Sequence, residues 1–130
     1  MIVVDASAMV EALVGRDVDA ELLDALLGEV AAPHLLDVEV LSVLGGLQLG
    51  GKLDVEAAEA ARQDHFSFAI IRHEIGPLAD RIWDLRHRCT SYDAAYLALA
   101  EGLAVPLYTC DAELARGGHH ADVRVVPASR

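Results

Sequence analysis

Lysine is almost absent from this 130-residue chain: Lys52 stands alone, and the nine arginines beside it bring the basic side chains to ten against 21 acidic ones. A formal charge of −11 lacks the basic footprint by which proteins usually grip nucleic acid through its phosphates. That exclusion lapses only where the acids themselves hold a cation, so their placement matters more than their number. Cysteine is scarce too. Cys89 and Cys110 cannot make a zinc site alone and read as small, buried, reduced thiols. No apolar run reaches the ~18 residues of a membrane span. Met1-Ile2-Val3-Val4-Asp5 has no basic region or cleavage site of a secretory signal, so a reducing cytoplasm and no membrane contact are expected. Repeats, low-complexity tracts and Pro/Gly/Ser linkers are missing as well, which leaves a single domain over residues 1–130. What is present is apolar: 54% hydrophobic against 24% charged residues excludes a disordered chain.

Short apolar runs alternate with helical periods. Ile2-Val3-Val4 reads as a buried strand, and Ser7 is placed to cap a helix through Val14. Asp19–Leu27 forms a second helix, Val30–Ala32 a weak strand ended by Pro33, and Leu36–Leu49 a long helix. Gly50-Gly51-Lys52 breaks it, and Asp54 caps a further helix to His65, giving an antiparallel hairpin. Phe68–Ile71 reads as a strand, Pro77 opens a helix to Arg88, and Thr90 opens another. Val105–Thr109, a short helix over Asp111–Arg116 and Val123–Val126 complete the chain. Strands alternating with helices predict an α/β fold with a mostly parallel sheet covered on both faces.

Ligands of such sheets gather at the carboxyl ends of the strands. Asp5 ends the first strand and Asp111 follows Leu107-Tyr108-Thr109-Cys110. An isolated Asp in that position is most often a turn or cap residue. Asp93 is the stronger signal. Thr90-Ser91-Tyr92-Asp93 has the form of a capping box, yet the helix behind it is apolar at Ala95, Tyr96, Leu99 and Leu103. A charge at the head of a buried helix needs a partner, and a cation shared with other acids supplies one. Near the start of the long helix, Asp37 suits favourable placement on the helix dipole, whereas periodicity leaves Glu39 ambiguous.

Val3-Val4-Asp5-Ala6-Ser7-Ala8, the glutamate of Val38-Glu39-Val40-Leu41-Ser42, Ser91-Tyr92-Asp93-Ala94-Ala95-Tyr96 and Leu107-Tyr108-Thr109-Cys110-Asp111 together resemble the PIN-domain ribonucleases, above all the VapC-type toxins of bacterial toxin–antitoxin pairs. The resemblance spans nearly the whole chain in the family's order. It implies a three-layer α/β/α sandwich around a mostly parallel sheet, and a homodimer. It also implies an acidic metal centre of Asp5, Glu39, Asp93 and Asp111, supported by Ser7 and Thr109. The activity it implies is endoribonuclease, with RNA as substrate and a cognate antitoxin protein as inhibitory partner. The chain departs from the pattern at Cys110 and in the Gly117-Gly118-His119-His120 tail of the last loop.

Carboxylates without Cys or His at ligand spacing favour a hard cation, Mg2+ or Mn2+, with Asp5 and Asp93 as direct ligands. Asp111 and Glu39 then act through water or hold a second ion. Positive charge for a substrate is densest at Arg81, Trp83, Arg86 and Arg88, where an aromatic ring among arginines suits an unpaired base and its phosphates; a partly buried Trp83 beside a solvated basic face is the plainer reading. A catalytically inert PIN-like binding module remains the alternative. A receiver-like signalling domain is poorer, since it needs a lysine after a late strand and Lys52 lies in a helix–helix turn.

Overall fold

Ile2, Val3 and Val4 are all β-branched and buried, as the middle strand of a sheet covered on both faces requires. They form β1 (Ile2–Val4). In the computed structural model, which describes residues 1–130, β1 is followed by β2 (Val30–Pro33), β3 (Ile71–His73), β4 (Leu107–Thr109) and β5 (Val123–Val125). All pair in parallel in the order β3-β2-β1-β4-β5. Val3 pairs with Ala31 on one side and Leu107 on the other, and Val4 with Tyr108. The chain winds outward from β1 to β3, then returns to the other side for β4 and β5. The winding therefore reverses between β1 and β4, and the crevice this opens lies at their carboxyl ends.

Six helices complete the fold: α1 (Ala6–Val14), α2 (Ala20–Leu26), α3 (Leu35–Leu49), α4 (Val55–Ser67), α5 (Ala79–Asp84) and α6 (Ser91–Leu103). α1 packs on α3 and α4, while α6 crosses β1, β2 and β4 with α5 against it, giving the three-layer sandwich. α3 and α4 form the expected hairpin through Gly51, whose φ of 74° favours glycine. Ala94 to Ala100 are buried without a break, so α6 is the deepest helix. Its small alanines let it lie close on the sheet. No helix is long and apolar enough to cross a membrane.

Three local expectations change. Asp5, not Ser7, caps α1, because its carboxylate reaches the Ala8 N–H while Ser7 already lies inside the helix. The third strand is Ile71–His73 rather than Phe68–Ile71: α4 runs on to Ser67, and an edge strand tolerates Arg72 and His73 because only part of it is covered. The single helix expected from Pro77 to Arg88 is a 3-10 turn (Gly76–Leu78), α5 and a second 3-10 turn (Leu85–His87).

Candidate active site

Asp5 leaves β1 directly into α1, and its backbone N–H pairs with the Tyr108 carbonyl, which sets it beside Thr109 at the end of β4. The carboxylate is buried. Oδ1 accepts from the Ser7 hydroxyl at 2.7 Å and the Ala8 N–H at 2.9 Å, and Oδ2 accepts from the Thr109 hydroxyl. The cap role and the site position thus coexist in one side chain. Each carboxylate oxygen offers two acceptor positions, so Oδ1 is filled and Oδ2 keeps one open. Ser7 and Thr109 lie 3.2 Å apart and brace the turn further: Ser7 Oγ accepts from the Cys110 N–H and Thr109 Oγ1 from the Asp111 N–H, each at 2.9 Å.

Asp93 enters from the head of α6, half-buried. Thr90 caps the helix through the Asp93 N–H at 3.2 Å, but the reciprocal half of the box is not made, so the Asp93 carboxylate stays free. Asp111 is exposed, and its Oδ1 caps the 3-10 turn Ala112–Ala115 through the Glu113 N–H. Glu39 comes from α3 and accepts from the Tyr96 hydroxyl at 2.5 Å. Tyr96 escaped the sequence reading as a site residue. Its signal was present: it lies three positions after Asp93 on the same face of α6, and a buried tyrosine needs a partner for its hydroxyl.

Charge ties the four acids together. Burial pushes the Asp5 carboxyl above its ordinary value despite its three donors, and Glu39 adds to the rise. Burial, then Asp111 and Asp5, raise Asp93. The Tyr96 hydroxyl is raised by burial and Glu39. Burial, with Asp5 and Glu11, pushes the Cys110 thiol up to about 11, so it stays protonated and inert. No lysine or arginine forms an ion pair with Asp5, Glu39, Asp93 or Asp111. As they stand, no three His, Cys, Asp or Glu side chains are close enough to chelate an ion. The donor set fits a hard divalent cation: all oxygen, one open position on Asp5, and an unpaired Asp93.

The basic stretch divides. Arg81 is held by Glu101 through two bonds of 2.7 and 3.0 Å. Trp83 is 67% exposed rather than partly core, and the Arg86 guanidinium lies 4.5 Å from its ring centroid. Arg88 lines the same cavity as Asp93.

The model of the PIN domain family matches residues 2–119. Ribonuclease VapC1 of Mycobacterium tuberculosis is 45% identical over 117 residues, covering 87% of this chain and 87% of that protein. Ribonuclease VapC12 of the same organism is 38% identical over 128 residues, 97% of this chain and 99% of that one. Among solved structures, M. tuberculosis VapC20, a toxin that cleaves the sarcin–ricin loop, has a TM-score of 0.66 at 17% identity over 92% of this chain and 97% of that one. At that identity the likeness speaks for the fold alone.

Proposed function

The chain belongs to the PIN-domain family, among the VapC-type ribonucleases, and from that membership we propose that it is a divalent-metal-dependent endoribonuclease, the cytoplasmic toxin of a toxin–antitoxin pair. The observation that carries the reading is that Asp5, Glu39, Asp93 and Asp111 act on one another electrostatically at the carboxyl end of the β1–β4 sheet and none of them is ion-paired. Asp5 and Asp93 are the direct ligands of Mg2+ or Mn2+; Asp111 and Glu39 complete the centre. When bound, such an ion withdraws charge from the scissile phosphate and lowers the pKa of an attacking water. The chain's part is positional. Ser7, Ala8 and Thr109 fix the Asp5 carboxylate in one rotamer, Tyr96 fixes Glu39, and the Thr90 cap fixes the head of α6 under Asp93. The exposed Trp83 with Arg86 stacked on it suits an unpaired base of single-stranded or looped RNA.

Regulation follows from the same charge. An arginine fork from a cognate antitoxin pairs two carboxylate oxygens at once and closes the crevice. Exposed Val38 and Leu41, within two residues of Glu39 on α3, and Tyr92, next to Asp93, offer apolar surface for pairing of two copies into a homodimer.

The test is to incubate the purified, partner-free chain with total cellular RNA and magnesium. Discrete cleavage is expected, abolished by chelator and restored by added metal. Cleavage that persists in excess chelator overturns the metal-dependent reading. RNA binding without cleavage in any divalent metal favours the inert module.

A further inference from the structure

The last loop, Gly117-Gly118-His119-His120, has a built conformation. His119 Nδ1 accepts from the Ala121 N–H at 3.1 Å, which leaves the proton on Nε2, and Nε2 donates to the Leu114 carbonyl at 2.8 Å. The imidazole is thereby a staple across the loop and has no nitrogen left for a ligand. Gly118 sits at a φ of 105°, and a Cβ there would stand 2.8 Å from Arg88 Nε. Glycine therefore does two things: it makes the turn, and it lets the Arg88 side chain lie flat on the backbone.

Among the arginines without an ion pair, Arg88 is the one that lines a cavity with Asp93. Arg62, Arg72, Arg81, Arg116 and Arg124 are paired with carboxylates and Arg86 is stacked on Trp83, while Arg16 and Arg130 are unpaired but line a different cavity, and Arg116, which shares the cavity of Arg88, is engaged by Glu113. Arg88 forms no ion pair with any acid, Asp93 included, although both line one cavity with Thr90 and Gly117. That cavity has a volume of about 240 Å³. Pockets for whole small molecules start at roughly 300 Å³, so this one suits a single group of a longer chain. A polyanion approaching a protein of net charge −11 needs a fixed cation beside the acids, and a guanidinium fork matches phosphate oxygens.

We propose that Arg88, seated on Gly118, holds a backbone phosphate of the RNA strand neighbouring the one that is cut. The proposal rests on the RNA-cleaving reading of the Asp93 site and adds to it the residue that sets the strand's register.

The experiment measures binding of short single-stranded RNAs to the purified chain in chelator at low salt, neutralising each phosphate in turn as a methylphosphonate. One position is expected to weaken wild-type binding about tenfold, the scale of a charge-assisted hydrogen bond. Arg88→Gln should lose about the same affinity, become indifferent to that one position, and reduce the slope of log affinity against log salt by about 0.7. Gly118→Ala, which displaces Arg88, should weaken binding in the wild type and change nothing further in Arg88→Gln. Circular dichroism confirms that each variant is folded. If folded Arg88→Gln keeps the wild-type salt slope and the same methylphosphonate sensitivity at every position, the proposal is overturned. If the wild type neither binds nor cuts any RNA, the proposed function itself falls.

Discussion

Asp37 and Glu39 lie two residues apart on α3, point to different sides of it, and live in opposite electrostatic surroundings. Asp37 is enclosed by partners from two other elements. Arg72 of β3 forks onto it at 2.7 and 3.0 Å, and His65 of α4 meets it at 2.8 Å. Burial alone would raise its pKa, but the Arg72 and His65 hydrogen bonds outweigh it and hold the carboxyl below the ordinary value. Glu39 faces Tyr96 and the acids of the crevice, where Asp5 and Asp93 are both raised. In the α3–α4–β3 corner the chain neutralises its own charge, and the acid serves the fold. In the β1–β4 crevice none of the acids is ion-paired, so they hold unfavourable energy that an ion from outside relieves.

Several substitutions break or sharpen that contrast. Asp93→Asn should reduce RNA cleavage by about 100-fold or more, the scale of removing a group that stabilises developing charge. Rates on a defined RNA in magnesium check it. Arg72→Met should instead destabilise the chain by about 2–3 kcal/mol, because Asp37 is left mostly enclosed and short of its fork. Its cleavage rate below the melting range should stay near the parent's. Urea unfolding beside cleavage assays tests both halves; a stable but inactive Arg72→Met would join the two acid regions into one. Tyr96→Phe should lower stability by about 1 kcal/mol, since water at the half-exposed Glu39 compensates part of the lost bond.

Acidity separates the regions more gently. Raised carboxyls bind more protons folded than unfolded, so in chelator Asp5 and Asp93 make stability fall as pH climbs from about 4 through their raised values. Asp37, lowered, contributes stability present above the ordinary carboxylate value and lost as pH falls through its own. Urea midpoints against pH in chelator should therefore decline on both sides of a mildly acidic maximum. Asp93→Asn should flatten the upper decline and Asp37→Asn the lower one.

The acids of the crevice were legible in the sequence because each ends or opens an element: Asp5 closes an apolar strand, Asp111 follows another, and Asp93 heads an apolar helix. The strand order that brings them together was not, since it depends on β4 pairing with β1 across more than a hundred residues. Local pattern alone makes Asp37 a dipole acid on a solvated face. Its real partners are His65 and Arg72, 28 and 35 positions away, and no local pattern marks them. β3 starts three residues beyond the apolar run's beginning for a related reason: Phe68 and Ile70 pack on the core as α4 ends, while pairing with β2 falls to Ile71 and the more polar Arg72 and His73.

The most direct test compares the melting of the parent and Asp93→Asn in chelator and again in magnesium, on the same preparations. Removing one like charge should raise the variant above the parent in chelator by about 1 kcal/mol, roughly 3–5 °C for a domain of this size. Magnesium should then raise the parent more than the variant and narrow or reverse the order, since an ion that binds only the folded chain stabilises it in proportion to its affinity. An Asp93→Asn chain that melts well below the parent in chelator, and responds to magnesium as the parent does, would make Asp93 a structural residue of α6 and contradict the account.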